Sequence, residues 1–218
     1  MIAIIDYGAG NLRSVGKAIE KVGYPCRVTT NPDEVMAAEA VILPGVGAAG
    51  DTMRSLEDLG MAEPIRLTIA QGRPFFGVCM GLQVLFNFSE EGGGQECLGI
   101  LPGVVRKLPP GLKVPHMGWN QVHRRMVHPL FRGIPDGANF YFVHSFYPEP
   151  DASVIAAETD YGFNFCSVII QGNLVATQFH PEKSGNLGLR LYHNFLRFSL
   201  GGKRATEERE SEDRGHCR

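Results

Sequence analysis

The chain predicts an α/β domain, a largely parallel sheet flanked by helices, and three observations carry that expectation. Short apolar runs alternate with helix-period segments through residues 1–90. The runs are near-continuously apolar rather than alternating, as suits strands covered on both faces. Each helical segment closes on a glycine, a residue that ends helices without steric cost.

The first strand is IAIID (Ile2–Asp6). NLRSVGKAIEKVG (Asn11–Gly23) then places Leu12, Val15, Ile19 and Val22 on one helical stripe and stops at Gly23. AVILPG (Ala40–Gly45) is the next strand, followed by helical segments TMRSLEDLG (Thr52–Gly60) and MAEPIRLTIAQG (Met61–Gly72). PFFGVC (Pro74–Cys79) is a strand that turns into a helix at about Met80. Beyond it, LGILPGVVRKLPPGLKVPHMGWNQV is rich in Pro and Gly and has little helical period, which predicts short strands and loops. YFVHSF (Tyr141–Phe146), CSVIIQ (Cys166–Gln171) and LVATQF (Leu174–Phe179) are further strands, the last two joined by a Gly172–Asn173 hairpin turn. An amphipathic helix, NLGLRLYHNFLRFSL (Asn186–Leu200), closes the domain over residues 1–200. Residues 201–218 are charged and almost without apolar groups, so an unstructured tail is expected there.

Composition excludes several classes. A net charge of −2 gives no electrostatic pull toward nucleic acid or an anionic membrane. No apolar run reaches the roughly 18 residues of a spanning helix, and the N-terminus has no basic region ahead of an apolar stretch, so no signal peptide is expected. The five cysteines (Cys26, Cys79, Cys97, Cys166, Cys217) are odd in number and scattered, with no CxxC or zinc spacing. A reducing cytoplasm with free thiols is the expectation, with no metal site and no cofactor.

One of those cysteines has unusual flanks. Gly77-Val78-Cys79-Met80-Gly81 is a G-x-C-x-G, the thiol counterpart of the nucleophile elbow, seated between a strand and a helix. Such a corner puts the thiol at the carboxyl end of a strand, where α/β sheets bind ligands, and aims the first helical N–H groups at it. The Met80 N–H would donate to an oxyanion formed on attack. The plainer reading is a structural Cys at a tight turn.

A thiol nucleophile needs a base, and QFHPEKSG (Gln178–Gly185) offers one. In an extended segment His180 and Glu182 point the same way, so Glu182 would hold Nδ1–H and leave Nε2 for the sulfur. PGVGAAG (Pro44–Gly50) is a glycine-rich turn after a strand, where Gly47 would present an N–H to a ligand or merely make the turn. DYGAGN (Asp6–Asn11) fails as a dinucleotide fingerprint because Arg13 stands where a glycine is required.

Taken together, GVCMGLQ, YFVHSF and HPEKSG resemble the class I, triad-type glutamine amidotransferases. DYGAGNLRSV, PGVG and PHMGWN (Pro115–Asn120) are similar to the glutaminase branch that serves imidazole glycerol phosphate synthases. The resemblance covers about residues 1–200. It implies a flavodoxin-like domain in which Cys79 attacks the side-chain amide of glutamine, His180 acts as base and then acid, and Glu182 completes the triad. It further implies oxyanion donors at Met80 and Gly47, the latter after reorientation of the PGVG peptide. Gln83, Ser145 and Phe146 would hold the amino-acid part of glutamine, although HSF stands here where HSY is usual. The resemblance also implies a heterodimer with a (β/α)8 cyclase subunit that receives the ammonia in histidine biosynthesis, and Asn11, Trp119, Tyr141 and Lys183 would lie at that interface. His144 is the lesser candidate for the base, since it lies in a strand with no acid after it. A stand-alone elbow-cysteine hydrolase, a non-catalytic binding subunit and another amidotransferase branch remain the alternatives.

Overall fold

The structure, a computed structural model, describes residues 1–8 and 10–215, with side chains through residue 201. Its first half alternates as the sequence predicts: β1 (Ile2–Ile5), α1 (Leu12–Lys21), β2 (Cys26–Thr29), α2 (Pro32–Ala37), β3 (Ala40–Leu43), α3 (Ala49–Asp58), α4 (Ala62–Ala70) and β4 (Phe75–Val78). The β2–α2 pair is an addition to the sequence reading. Its strand is half exposed at the sheet edge and carries no apolar run to mark it, while Asn31 caps α2 through Asp33 N and Pro32 opens it.

A one-turn helix, α5 (Met80–Gln83), follows β4. The helix expected from Met80 stops after this turn because the chain re-enters a strand. That strand is β5 (Phe86–Ser89), followed by β6 (Gln95–Glu96), β7 (Leu101–Lys107), β8 (His116–Arg124), β9 (Ala138–His144), β10 (Phe146–Pro150), β11 (Ile155–Asp160), β12 (Asn164–Gln171) and β13 (Leu174–Thr177). YFVHSF is therefore not one strand. The chain leaves the main sheet after His144, and from Phe146 onward it pairs with β7 in a second, four-stranded sheet. The final helix, α6, has backbone bounds Gly185–Gly215, and the unstructured tail expected over 201–218 lies, from residue 202 on, outside the described side chains.

The main sheet has nine strands in the order β2-β1-β3-β4-β13-β12-β11-β8-β9. Its first five strands are parallel and run in the flavodoxin-like 2-1-3-4-5 order when β13 is counted fifth. The Gly172–Asn173 hairpin forms as expected, pairing Gln171 with Leu174, and beyond it the sheet continues antiparallel. The result is a mixed sheet with a parallel core.

Alternation of side chains divides these buried strands between two hydrophobic cores. Ile2, Ile4, Ala40, Ile42, Phe76 and Val78 face α1 and α6, where they meet Val15, Ile19, Tyr192 and Phe195. Ala3, Ile5, Val41, Leu43 and Phe75 face α3, α4 and the small sheet. The parallel core is thus anchored on both sides, and the turns at its carboxyl ends are held by strands that cannot shift.

The turn after β13 depends on one close approach. A Cβ at Gly188 in α6 would stand 1.8 Å from the Pro181 carbonyl oxygen. Alanine in a helix is worth about 1 kcal/mol over glycine, but overpacking costs about 1–3 kcal/mol or more, and here the clash is with backbone that cannot yield. Gly188→Ala is therefore expected to lower stability in urea unfolding despite its better helix propensity. A gain in stability would show that α6 does not pin this turn.

Candidate active site

Cys79 sits at φ 53°, ψ −104°, one of two non-glycine residues with positive φ among the described residues. Such a conformation costs on the order of 1–3 kcal/mol and persists only where the surroundings fix it. They do so here: Cys79 N donates to Thr177 O at 2.7 Å, and Cys79 O accepts from Leu82 N and Gln83 N. The flanking glycines are required by contact. A Cβ at Gly77 would meet Gly81 O at 2.5 Å, and one at Gly81 would meet Leu43 O at 1.9 Å. With α5 only one turn long, the elbow offers the sulfur the unused N–H of Met80 rather than a helix dipole.

His180 follows β13, and the segment after it is a 3-10 turn, Pro181–Lys183, not the extended run the sequence suggests. The turn achieves the same end. His180 Nδ1 and Glu182 Oε1 are 2.9 Å apart, and both side chains are 1% exposed. Since the carboxylate only accepts, Nδ1 carries the proton, and Nε2 is left facing the thiol with no other hydrogen-bond partner. Burial pulls the imidazole down. Interaction with Cys79 and then with Glu182 outweighs it, and the pKa rises to about 10 from its ordinary 6.5. The turn itself is stapled to β9: His180 N donates to Tyr141 O at 2.9 Å, Tyr141 N to Ser184 Oγ at 3.0 Å, and Ser184 Oγ to His180 O at 2.6 Å.

These groups open on a cavity of ≈350 Å³ that Gly47, Cys79, Met80, Gln83, Ser145, Phe146, His180 and Lys183 help to line. Every residue expected to touch a ligand is thereby brought together, whereas Asn11, Trp119 and Tyr141 lie outside the lining. Gly47 has φ 100°, a conformation that glycine adopts freely. Gln83 Nε2 donates to Phe146 O at 2.9 Å and Gln178 Oε1 at 3.0 Å, which leaves Gln83 Oε1 as a buried acceptor without a partner. His144 is no base, because its two ring nitrogens are engaged by His116 and by Phe146 O.

The sequence reading missed three contributors. Gln178 donates to Cys79 Sγ at 3.6 Å, and Asn11, expected only at an interface, donates its side-chain amide to Glu182 Oε1. Tyr192 is wholly buried, and that burial together with the Glu182 charge holds its hydroxyl well above the ordinary tyrosine range. No local signal marks Tyr192, which occupies an apolar position of an ordinary helical stripe.

Comparison with known proteins places this arrangement. The family described as "Glutamine amidotransferase class-I" matches residues 3–197. The imidazole glycerol phosphate synthase subunit HisH of Dehalococcoides mccartyi strain 195 is 55% identical over 94% of this chain and 100% of its own length. The chain belongs to the class I glutamine amidotransferases, in their HisH branch. The HisH subunit of Chloroflexus aurantiacus is 54% identical, over 91% of this chain and 96% of that one. Among solved structures, one titled as a glutamine amidotransferase superposes with a TM-score of 0.70 at 19% identity, covering 91% of this chain and 99% of that chain. PurLQS from Thermotoga maritima superposes with a TM-score of 0.71 at 19% identity, over 90% and 97%. At that identity the likeness is one of fold.

In this amidotransferase the raised His180 pKa has a measurable consequence. Because folding lifts the imidazole from 6.5 to about 10, the stability tied to its proton is complete below pH 6.5 and is lost as pH climbs through 10. The urea midpoint is expected to fall across that window. Glu182→Gln removes one of the influences that raise the imidazole, so its titration, followed by NMR of the ring, should move to lower pH. An unmoved titration would mean that Glu182 does not support the charged ring.

Proposed function

We propose that this chain is the glutaminase subunit of an imidazole glycerol phosphate synthase, working in the cytoplasm. The observation that carries the reading is the buried His180–Glu182 bond behind an elbow cysteine, opening on one cavity. Cys79 attacks the Cδ carbonyl carbon of glutamine with its proton already transferred to His180 Nε2, since the raised pKa keeps that ring charged at neutral pH. The tetrahedral oxyanion accepts hydrogen bonds from the N–H groups of Met80 and Gly47, the second after rotation of the PGVG peptide. Collapse breaks the C–N bond while His180 returns its proton to the leaving nitrogen, releasing ammonia and leaving a γ-glutamyl thioester on Cys79. His180 then deprotonates water, which attacks the thioester and releases glutamate and the thiol. The unpartnered Gln83 Oε1 accepts from the substrate's ammonium group, and the Ser145–Phe146 backbone forms the rest of the amino-acid pocket.

The ammonia passes to a cyclase subunit of (β/α)8 form. The relatives are named as subunits, and a surface beside the triad suits a partner. Trp119, 58% exposed, packs edge-on against Tyr141 at 6.1 Å, and the Lys183 ammonium lies 5.9 Å from the Tyr141 ring centroid. Tyr141 and Lys183 belong to the elements that hold His180, so a partner seated there touches the catalytic turn. Unpaired cysteines at 26, 79, 97 and 166 suit a reducing compartment. No described helix is long and apolar enough to cross a membrane.

The decisive measurement is release of ammonia and glutamate from glutamine by the purified chain, alone and with the cyclase and its ribotide ligand. Negligible activity alone and a strong rise in the mixture are expected. Cys79→Ala should lower the coupled rate by at least about a thousandfold, and glutamine hydrolysis that survives this change would refute the mechanism. Trp119→Ala is expected to weaken association with the cyclase by roughly tenfold or more, as loss of an exposed aromatic anchor does, read by titration calorimetry. Unchanged affinity would move the interface elsewhere.

A further inference from the structure

We propose that His116 and His144 are positioning residues for glutamine: a polarised hydrogen-bond relay, started by Asn120, that holds the Phe146 carbonyl and with it the Gln83 amide in the cavity wall. This rests on the glutaminase reading and names the machinery behind its amino-acid pocket. Both rings are buried, and neither takes part in the thiol chemistry.

The direction of every bond in the relay follows from the groups at its two ends. Phe146 O can only accept, so His144 Nδ1, 2.8 Å away, carries a proton. In a neutral ring Nε2 is then a lone pair, and it accepts from His116 Nδ1 at 2.8 Å. His116 Nε2 is in turn a lone pair and accepts from Asn120 Nδ2 at 3.2 Å. The Asn120 amide cannot be flipped, because Nδ2 also donates to Asp160 O at 2.9 Å and Oδ1 accepts from Gln121 N at 2.8 Å. Burial favours the neutral form of both imidazoles, as the relay requires, with pKa values lowered to about 4 for His116 and about 3 for His144.

Sterics hold the rings as firmly as the bonds do. His116 is stacked between Tyr161 at 3.9 Å and Phe142 at 4.9 Å, and Tyr161 Oη donates to Lys113 O at 2.9 Å. His144 lies against Phe142 and Phe165. The relay ends where positioning matters most. Phe146 opens β10 at the point where the chain has just left the main sheet, and its carbonyl accepts from both His144 Nδ1 and Gln83 Nε2. Gln83 then bonds Gln178, which reaches Cys79 Sγ. Without the relay, the Phe146 carbonyl at the break between two sheets keeps one side-chain donor, Gln83 Nε2, beside the strand pairing of β10 and the Leu108 N bond to Ser145 O.

Two experiments test this. In wild-type full-length chain labelled with nitrogen-15 histidine, NMR should find both rings neutral and protonated at Nδ1. An Nε2-protonated tautomer at His144 would overturn the relay. In the chain–cyclase complex, His144→Phe keeps ring volume but removes both bonds, and it should raise KM for glutamine about tenfold, with kcat changed less than about threefold. His144→Asn, which keeps a donor near the Nδ1 position, should recover most of that KM. A rise in KM below about threefold, or an Asn variant no better than Phe, would overturn the relay while an active wild type left the glutaminase reading standing. A wild-type complex that hydrolyses no glutamine would overturn both.

Discussion

The site depends on how closely three backbone segments approach one another. A Cβ at Gly45 would stand 2.5 Å from Gly81 N, one at Gly77 2.5 Å from Gly81 O, and one at Gly81 1.9 Å from Leu43 O. No side chain fits among β3, β4 and α5 at these distances. That contact allows α5 to turn directly off β4, and Cys79 takes its positive φ because the turn leaves no other course. The strain is local, while its support comes from β13, whose Thr177 carbonyl holds Cys79 N. A neighbouring parallel strand thus fixes both Cys79 and, three residues further on, His180.

Around that corner the interior is unusually polar, and most of its hydrogen bonds can be assigned a direction. Gln178 links Gln83 to the thiol, Ser184 joins the catalytic turn to β9, and Asn11 reaches across from the start of α1 to Glu182. A buried polar group left unpaired costs about 1–3 kcal/mol. The atoms that do lack partners here include His180 Nε2 and Gln83 Oε1, which belong to residues lining the cavity. These unpaired atoms on the cavity wall contrast with the ring nitrogens of His116 and His144 behind it, all of which have partners.

The antiparallel extension of the sheet gives that wall a second face. Along β8, His116 and Asn120 turn inward to the relay while Met117 and Trp119, 61% and 58% exposed, turn outward. One strand therefore carries both the cavity's support and the apolar surface beside it. β9 repeats the arrangement, with His144 buried and Tyr141 half-buried against Trp119.

The parallel core, the elbow and the His–Glu pair were legible in the sequence because each is a local matter. Apolar runs report burial on both faces, glycines two residues either side of Cys79 report a backbone contact, and His180 and Glu182 lie two residues apart whether the segment is extended or a turn. The β2–α2 unit escaped notice because an exposed edge strand has no apolar signature. The division of YFVHSF at Ser145 escaped because both pieces are strands and differ only in the sheet they join. Asn11 on Glu182, Tyr192 beneath it, Gln178 on the thiol and the pairing of His116 with His144 all join segments far apart in the chain. Their side chains are of types that serve equally well elsewhere, so no spacing in the sequence distinguishes them. The sequence by itself singled out Cys79 at its corner and His180 with Glu182 as the residues proposed to serve it. Only the tertiary structure decided what holds them in place, since that depends on strand order and register, which are set by contacts between distant parts of the chain.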